Sequence, residues 1–131
     1  MENLEQKICL DTDIVISILN KEERAGKLIE KIINLDVFIT VITLFELLLR
    51  ETNLEQIEIF RNNVNLLYFD ETSSRKASEV FKELKKKGKL IEFRDIFIAA
   101  ICIVNNCELM TFNNKHFENI KELKLIKTEN E

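Results

Sequence analysis

Five short apolar runs punctuate the chain, at residues 8–10 (ICL), 37–40 (VFIT), 66–69 (LLYF), 108–112 (ELMTF) and 124–127 (KLIK). Each is β-branched or aromatic-rich in part, and most lack polar alternation, which predicts strands buried on both faces. Helical spacing fills the stretches between them, at residues 14–19, 24–34, 42–50, 54–63, 73–87 and 95–105. Leu28, Ile29, Ile32 and Ile33 form one stripe on the second of these, and Ala77, Val80, Phe81 and Leu84 form the inward stripe of the fifth. The sixth, DIFIAAICIVN, is apolar all round and predicts a central buried helix. Strands alternating with helices predict an α/β fold. A parallel sheet would be covered on both faces, with right-handed crossovers.

Composition narrows the class. A chain of 131 residues suits a single domain over residues 1–131. With 46% hydrophobic and 32% charged residues it is not intrinsically disordered. Apolar runs are all too short for a membrane span, and the start, MENLEQKICLDTD, lacks the basic and long apolar regions of a signal peptide. Cys9, Cys102 and Cys107 lie in apolar stretches and read as small buried hydrophobes of a reducing cytoplasm. The net charge of −4, from 19 Lys+Arg against 23 Asp+Glu, argues against a protein that coats nucleic acid. It does not exclude a local acidic site that cations neutralise.

In an open parallel sheet, ligands bind beyond the carboxyl ends of the strands, so the polar residues there carry the candidate chemistry. Asp11 ends the first strand and Asp13 follows it by two. Thr12 or Asp13 could cap the next helix while Asp11 points into the crevice. Glu46 lies inside VITLFELLLR, where an unpaired charge is costly to bury; Arg50, four residues on, is its ordinary partner. Asp95 opens the most apolar helix, where a carboxylate also suits the helix dipole. Arg94 beside it is either a structural counter-ion or a phosphate contact. Asn113 follows the fourth strand, with Thr111 just before it, and Asn-Asn is good turn chemistry. His116 is the only histidine, with no partner at zinc-like spacing, and reads as a hydrogen-bonded loop residue. Three carboxylates at one sheet edge repel one another unless a cation offsets them. All-oxygen ligands favour Mg²⁺ or Mn²⁺, ions that serve phosphodiester chemistry.

Four segments in order, CLDTDIVI, TLFELLLR, GKLIEFRDIFIAA and MTFNNKHFENIKELKLI, resemble the PIN-domain ribonucleases, and in particular the VapC toxins of prokaryotic toxin–antitoxin pairs. The third is the most specific, with Gly-x-x-Ile before Asp95 and Ile-Ala-Ala after it. The resemblance covers nearly the whole chain. It implies a three-layer PIN-like fold, with a five-stranded parallel sheet of order 3-2-1-4-5 flanked by helices. It implies a catalytic set of Asp11, Glu46, Asp95 and Asn113, the three acids holding one or two Mg²⁺ or Mn²⁺ ions. A metal-bound water would then cut RNA to leave 3′-hydroxyl and 5′-phosphate ends. Asp13, where many relatives carry Asn, is an accessory candidate with Thr12 and Thr111. The resemblance also implies a homodimer and a small antitoxin that binds DNA through one end and plugs the acidic groove with the other. The chain departs from the pattern in having Arg50 rather than a Gly after Glu46, and in lacking charge at Asn113.

RNA phosphates would meet Arg94, Arg50, Lys115 and Arg24 near the groove, and the run KKKGK at residues 85–89 is a further basic candidate. Lysines at a helix end also suit the dipole without any RNA. Two other functions stay open on the residues alone. One is a catalytically silent PIN-like interaction domain whose acids are caps and ion pairs. The other is a haloacid-dehalogenase-type phosphatase using Asp11 as nucleophile and Asp13 as acid/base; Glu46 and Asp95 then sit at the wrong places.

Overall fold

The computed structural model describes residues 6–128. Its central sheet has β1 (Lys7–Leu10), β2 (Asp36–Thr40), β3 (Asn65–Leu67) and β4 (Glu108–Met110), in the order β3-β2-β1-β4. All three pairings are parallel. The helices are α1 (Thr12–Leu19), α2 (Glu23–Ile32), α3 (Val41–Leu48), α4 (Leu54–Asn62), α5 (Glu71–Lys87), α6 (Phe93–Val104) and α7 (Asn114–Phe117).

Side-chain alternation on the strands builds two cores, one on each face of the sheet. On β1, Ile8 and Leu10 face one layer and Cys9 the other; on β4, Met110 and Leu109 divide in the same way. The first core packs Ile14, Val15, Leu28, Leu47 and Ile57 from α1 to α4. The second packs Ala77, Val80 and Leu84 of α5 against α6, which is apolar from Ile96 onward and whose residues Ile98 to Cys102 are fully buried. Cys9, Cys102 and Cys107 are free and buried, as their apolar settings predict. The Cys102 thiol is pushed well up by its contact with Cys9 and by burial. No helix among the described residues is long and apolar enough to cross a membrane.

Among the described residues four strands form, not five. The segment expected as the fifth contributes one parallel bridge, Leu125 to Leu109, held by Leu109 N to Lys124 O and Ile126 N to Leu109 O, both 2.9 Å. The cause lies in β4. Only Leu109 turns its N–H and C=O toward that edge, while Asp11 N bonds Met110 O on the other side at 2.9 Å. Beyond Met110 the chain leaves the sheet, and Asn113 N bonds back to Thr111 Oγ1 at 3.1 Å. The α2 stripe is also narrower than its sequence suggests: Leu28 and Ile32 are buried, whereas Ile33 is 68% exposed and Ile29 lies at the surface.

Because the strands are parallel, the residues after β1, β2 and β4 share one edge. The first turn of α6 reaches the same edge. A long α5 runs antiparallel to α6, so that Phe81 meets Phe93 with ring centroids 5.8 Å apart. Its last turn carries Lys85, Lys86 and Lys87, and Gly88 stops the helix with a left-handed φ of 68°.

Candidate active site

Asp11 is the N-cap of α1, a role expected of Thr12 or Asp13. Its Oδ1 accepts from Thr12 N at 2.8 Å, and its Oδ2 accepts from Thr111 Oγ1 at 2.8 Å. The residue is 1% exposed, so each oxygen needs the partner it has. Thr12 starts α1 and donates to Glu46 Oε1 at 2.5 Å; its hydroxyl also meets Thr43 Oγ1 at 3.0 Å. Thr40, at the end of β2, caps α3 by accepting from Thr43 N at 3.2 Å. That cap sets the start of α3 and so carries Glu46, one turn later, to the edge.

Glu92, not Asp95, is the N-cap of α6, and Asp95 lies in the first turn behind it. Arg94 folds inward from this turn. Its Nε and Nη2 bond Glu46 Oε2 and Oε1 at 2.7 and 2.9 Å. Nη2 also bonds Asp11 Oδ1 at 2.8 Å and Thr12 Oγ1 at 3.1 Å, and Nη1 bonds Asp95 Oδ1 at 2.5 Å. The three acids therefore converge, and they converge on one guanidinium. Of the two sequence readings of Arg94, the geometry realises the counter-ion. Glu46 pairs with Arg94 and not with Arg50.

Electrostatics follow from this contact. Burial alone would lower the Arg94 pKa, but the bond to Glu46 and the charges of Asp11 and Asp95 raise it well above its ordinary value. Burial pushes the Glu46 carboxyl up, and the bonds from Arg94 and Thr12 overcome this and hold it below its ordinary value. Asp13 is different: burial, then the neighbouring Asp11 charge, push it up to about 6. Its Oδ2 accepts from Phe112 N at 3.1 Å and Asn113 Nδ2 at 3.3 Å, with Thr111 Oγ1 at 3.4 Å. Its Oδ1 is buried with no hydrogen-bond partner among the described residues. Asn113 thus contacts Asp13 rather than the three acids.

Two residues that sequence reasoning left outside the candidate set touch it. His116 Nδ1 lies 3.2 Å from Asp95 Oδ2, because residues 114–117 form α7 instead of a plain turn. Thr43 is fully buried beneath Thr12, a position that only the packing of α3 on α1 reveals. Lys115 is exposed on α7. Arg24 pairs with Glu22 at 2.9 Å and lies over the Phe112 ring at 3.7 Å, one residue from the site loop.

The PIN domain family model matches residues 8–123. The chain belongs to the PIN-domain family. Within it the sequence is similar to VapC ribonucleases: it is 34% identical over 131 residues to Ribonuclease VapC1 of Methanocaldococcus jannaschii, covering 95% of this chain and 89% of that one. It is 31% identical over 123 residues to Ribonuclease VapC1 of Haemophilus influenzae, covering 87% and 92%. In three dimensions it superimposes with a TM-score of 0.80 on a chain of VapBC2 from Rickettsia felis bound to a DNA fragment from its promoter. That pair is 28% identical, with 92% of this chain and 98% of that one covered. These VapC-type PIN relatives are ribonucleases, and the phosphatase alternative has no support among them.

The donor set fits the divalent metal of PIN ribonucleases. Hard carboxylate and hydroxyl oxygens surround the Arg94 guanidinium, and Asp13, near enough to Asp11 to feel its charge, carries a buried Oδ1 with no hydrogen-bond partner among the described residues. As the side chains stand, no three His, Cys, Asp or Glu among the described residues are grouped to ligate one ion, since Arg94 lies between the acids.

Proposed function

We propose that this PIN-domain ribonuclease is a Mg²⁺- or Mn²⁺-dependent endoribonuclease and the toxin of a toxin–antitoxin pair. The observation that carries the reading is the meeting of Asp11, Glu46 and Asp95 around one cation at the carboxyl edge of the sheet. These three would hold one or two ions. A divalent ion held there would supply an activated water and would offset charge on the phosphodiester.

The other residues would do supporting work. Thr111 fixes Asp11 Oδ2, Thr12 fixes Glu46 Oε1, and His116 steadies Asp95 Oδ2. Asn113 would order the loop through Asp13 rather than bind metal directly. Lys115, Arg50 and the lysines after residue 84 would meet RNA phosphates around the rim. With few such groups on an acidic chain, affinity for bulk RNA would be modest and selection would come from groove shape.

The related VapBC2 complex bound to promoter DNA supports an antitoxin partner here; the toxin itself would be a homodimer acting in the cytoplasm. Incubating the full chain with a structured RNA and either Mn²⁺, Mg²⁺ or EDTA tests the proposal. Internal cuts with a divalent ion and none with EDTA are expected. Metal-independent cutting, or none under any condition, overturns it.

A further inference from the structure

Arg94 uses all three guanidinium nitrogens on the acid cluster, and Nη2 sits where oxygens of Asp11, Thr12 and Glu46 meet, at 2.8, 3.1 and 2.9 Å. A divalent ion is drawn to those same oxygens. It cannot share them with a positive group already bonded to each, because the two charges repel at contact range in a half-buried site. The two occupants are therefore alternatives. The geometry also gives the guanidinium a way out. Its side chain is 28% exposed, as is that of Glu46, whereas those of Asp11 and Asp95 are 2% and 5% exposed, so Arg94 and Glu46 form the solvent side of the cluster and the two aspartates its floor.

We infer that Arg94 is a built-in competitor of the metal: the guanidinium holds the carboxylates paired and must leave before a divalent ion loads. This rests on the metal reading above. It assigns Arg94 a gating part in that site. A protein with this device keeps its acids from repelling one another without a metal, and binds metal more weakly than its ligand set alone would. The competition is an ordinary linkage, with each occupant weakening the other by the same factor.

Calorimetric titration of the full chain with Mn²⁺ tests it, comparing wild type with Arg94→Gln and Arg94→Lys. Circular dichroism establishes that each is folded. Arg94→Gln is expected to bind Mn²⁺ about tenfold or more tightly than wild type. Arg94→Lys keeps the charge but loses the fork, and is expected to lie between the two. Millimolar guanidinium chloride should weaken Mn²⁺ binding to Arg94→Gln more than to wild type, since the free ion can refill the vacated place. If Arg94→Gln does not fold, the lysine variant decides alone: affinity above wild type supports the gate. A variant affinity equal to or below wild type overturns the gate while leaving the metal reading intact. Failure of every form, wild type included, to bind Mn²⁺ overturns the metal reading and the gate with it.

Discussion

Arg94 and Glu46, 48 residues apart, form a forked pair in which Nε and Nη2 each take one carboxylate oxygen, at 2.7 and 2.9 Å. The pair explains how a charge survives in LFELLLR among apolar neighbours: its partner comes from another helix. It also sets a pH dependence. Glu46 titrates below its ordinary value of 4.5 because the bonds from Arg94 and Thr12 outweigh burial. A lowered carboxyl pKa stabilises the fold above the ordinary value and loses that contribution as pH falls through the folded value. Thermal unfolding below pH 4.5 should therefore fall more steeply for wild type than for Glu46→Gln. Parallel curves would remove the pair from the account.

Asp13 carries the opposite sign. Its pKa is raised from 3.8 to about 6, by burial first and by Asp11 second. A carboxyl raised on folding costs nothing below 3.8, costs progressively more between 3.8 and about 6, and costs a constant amount above. With EDTA present, Asp13→Asn should be more stable than wild type at neutral pH. The gap should close as pH falls through that window, read by denaturant midpoints. An Asn there can still accept from Phe112 N. A gap that does not change with pH contradicts the assignment.

Lys85 and Lys86 lie in the last turn of α5 and Lys89 follows its Gly88 cap, while Lys87 Nζ bonds Asn119 O at 3.2 Å, just past α7. Lys87 is thereby tied to the segment that follows the site loop, and the run is proposed as part of the RNA rim. Changing Lys85, Lys86 and Lys89 together to Gln should weaken RNA binding and reduce its salt slope by about 2, as expected for three lost contacts to single-stranded phosphates. Mn²⁺ affinity should stay as in wild type. An unchanged salt slope would return these lysines to the role of a solvated helix end.

The acids were legible because each breaks an apolar pattern: Asp11 ends ICL, Glu46 interrupts an apolar run, and Asp95 sits at the head of DIFIAAICIV. The strand order followed from the family resemblance, and β3-β2-β1-β4 agrees with it as far as it goes. What periodicity does not carry is the destination of a long side chain. Arg94 reaches Asp11 across 83 positions and Glu46 across 48, so its partner depends on how three elements meet. The bonds of Thr111 to Asp11 and His116 to Asp95 are hidden for the same reason. The lost fifth strand has a local cause: KLIK pairs only where β4 offers Leu109, and the chain then turns away to build the Thr111–Asn113 loop. Ile29 and Ile33 show that an apolar stripe on α2 can be wider than the face it buries.

The central claim is that the carboxylates around Arg94 form the RNA-cutting centre. It is tested most directly by cleavage of one end-labelled structured RNA in Mn²⁺, by wild type, Asp11→Asn and Asp95→Asn, with folding checked by circular dichroism. Wild type should leave 5′-phosphate and 3′-hydroxyl ends. Each folded variant should lose about a hundredfold or more in rate, the scale of removing a group that stabilises developing charge. Folded variants that cut at the wild-type rate would contradict the assignment of the site.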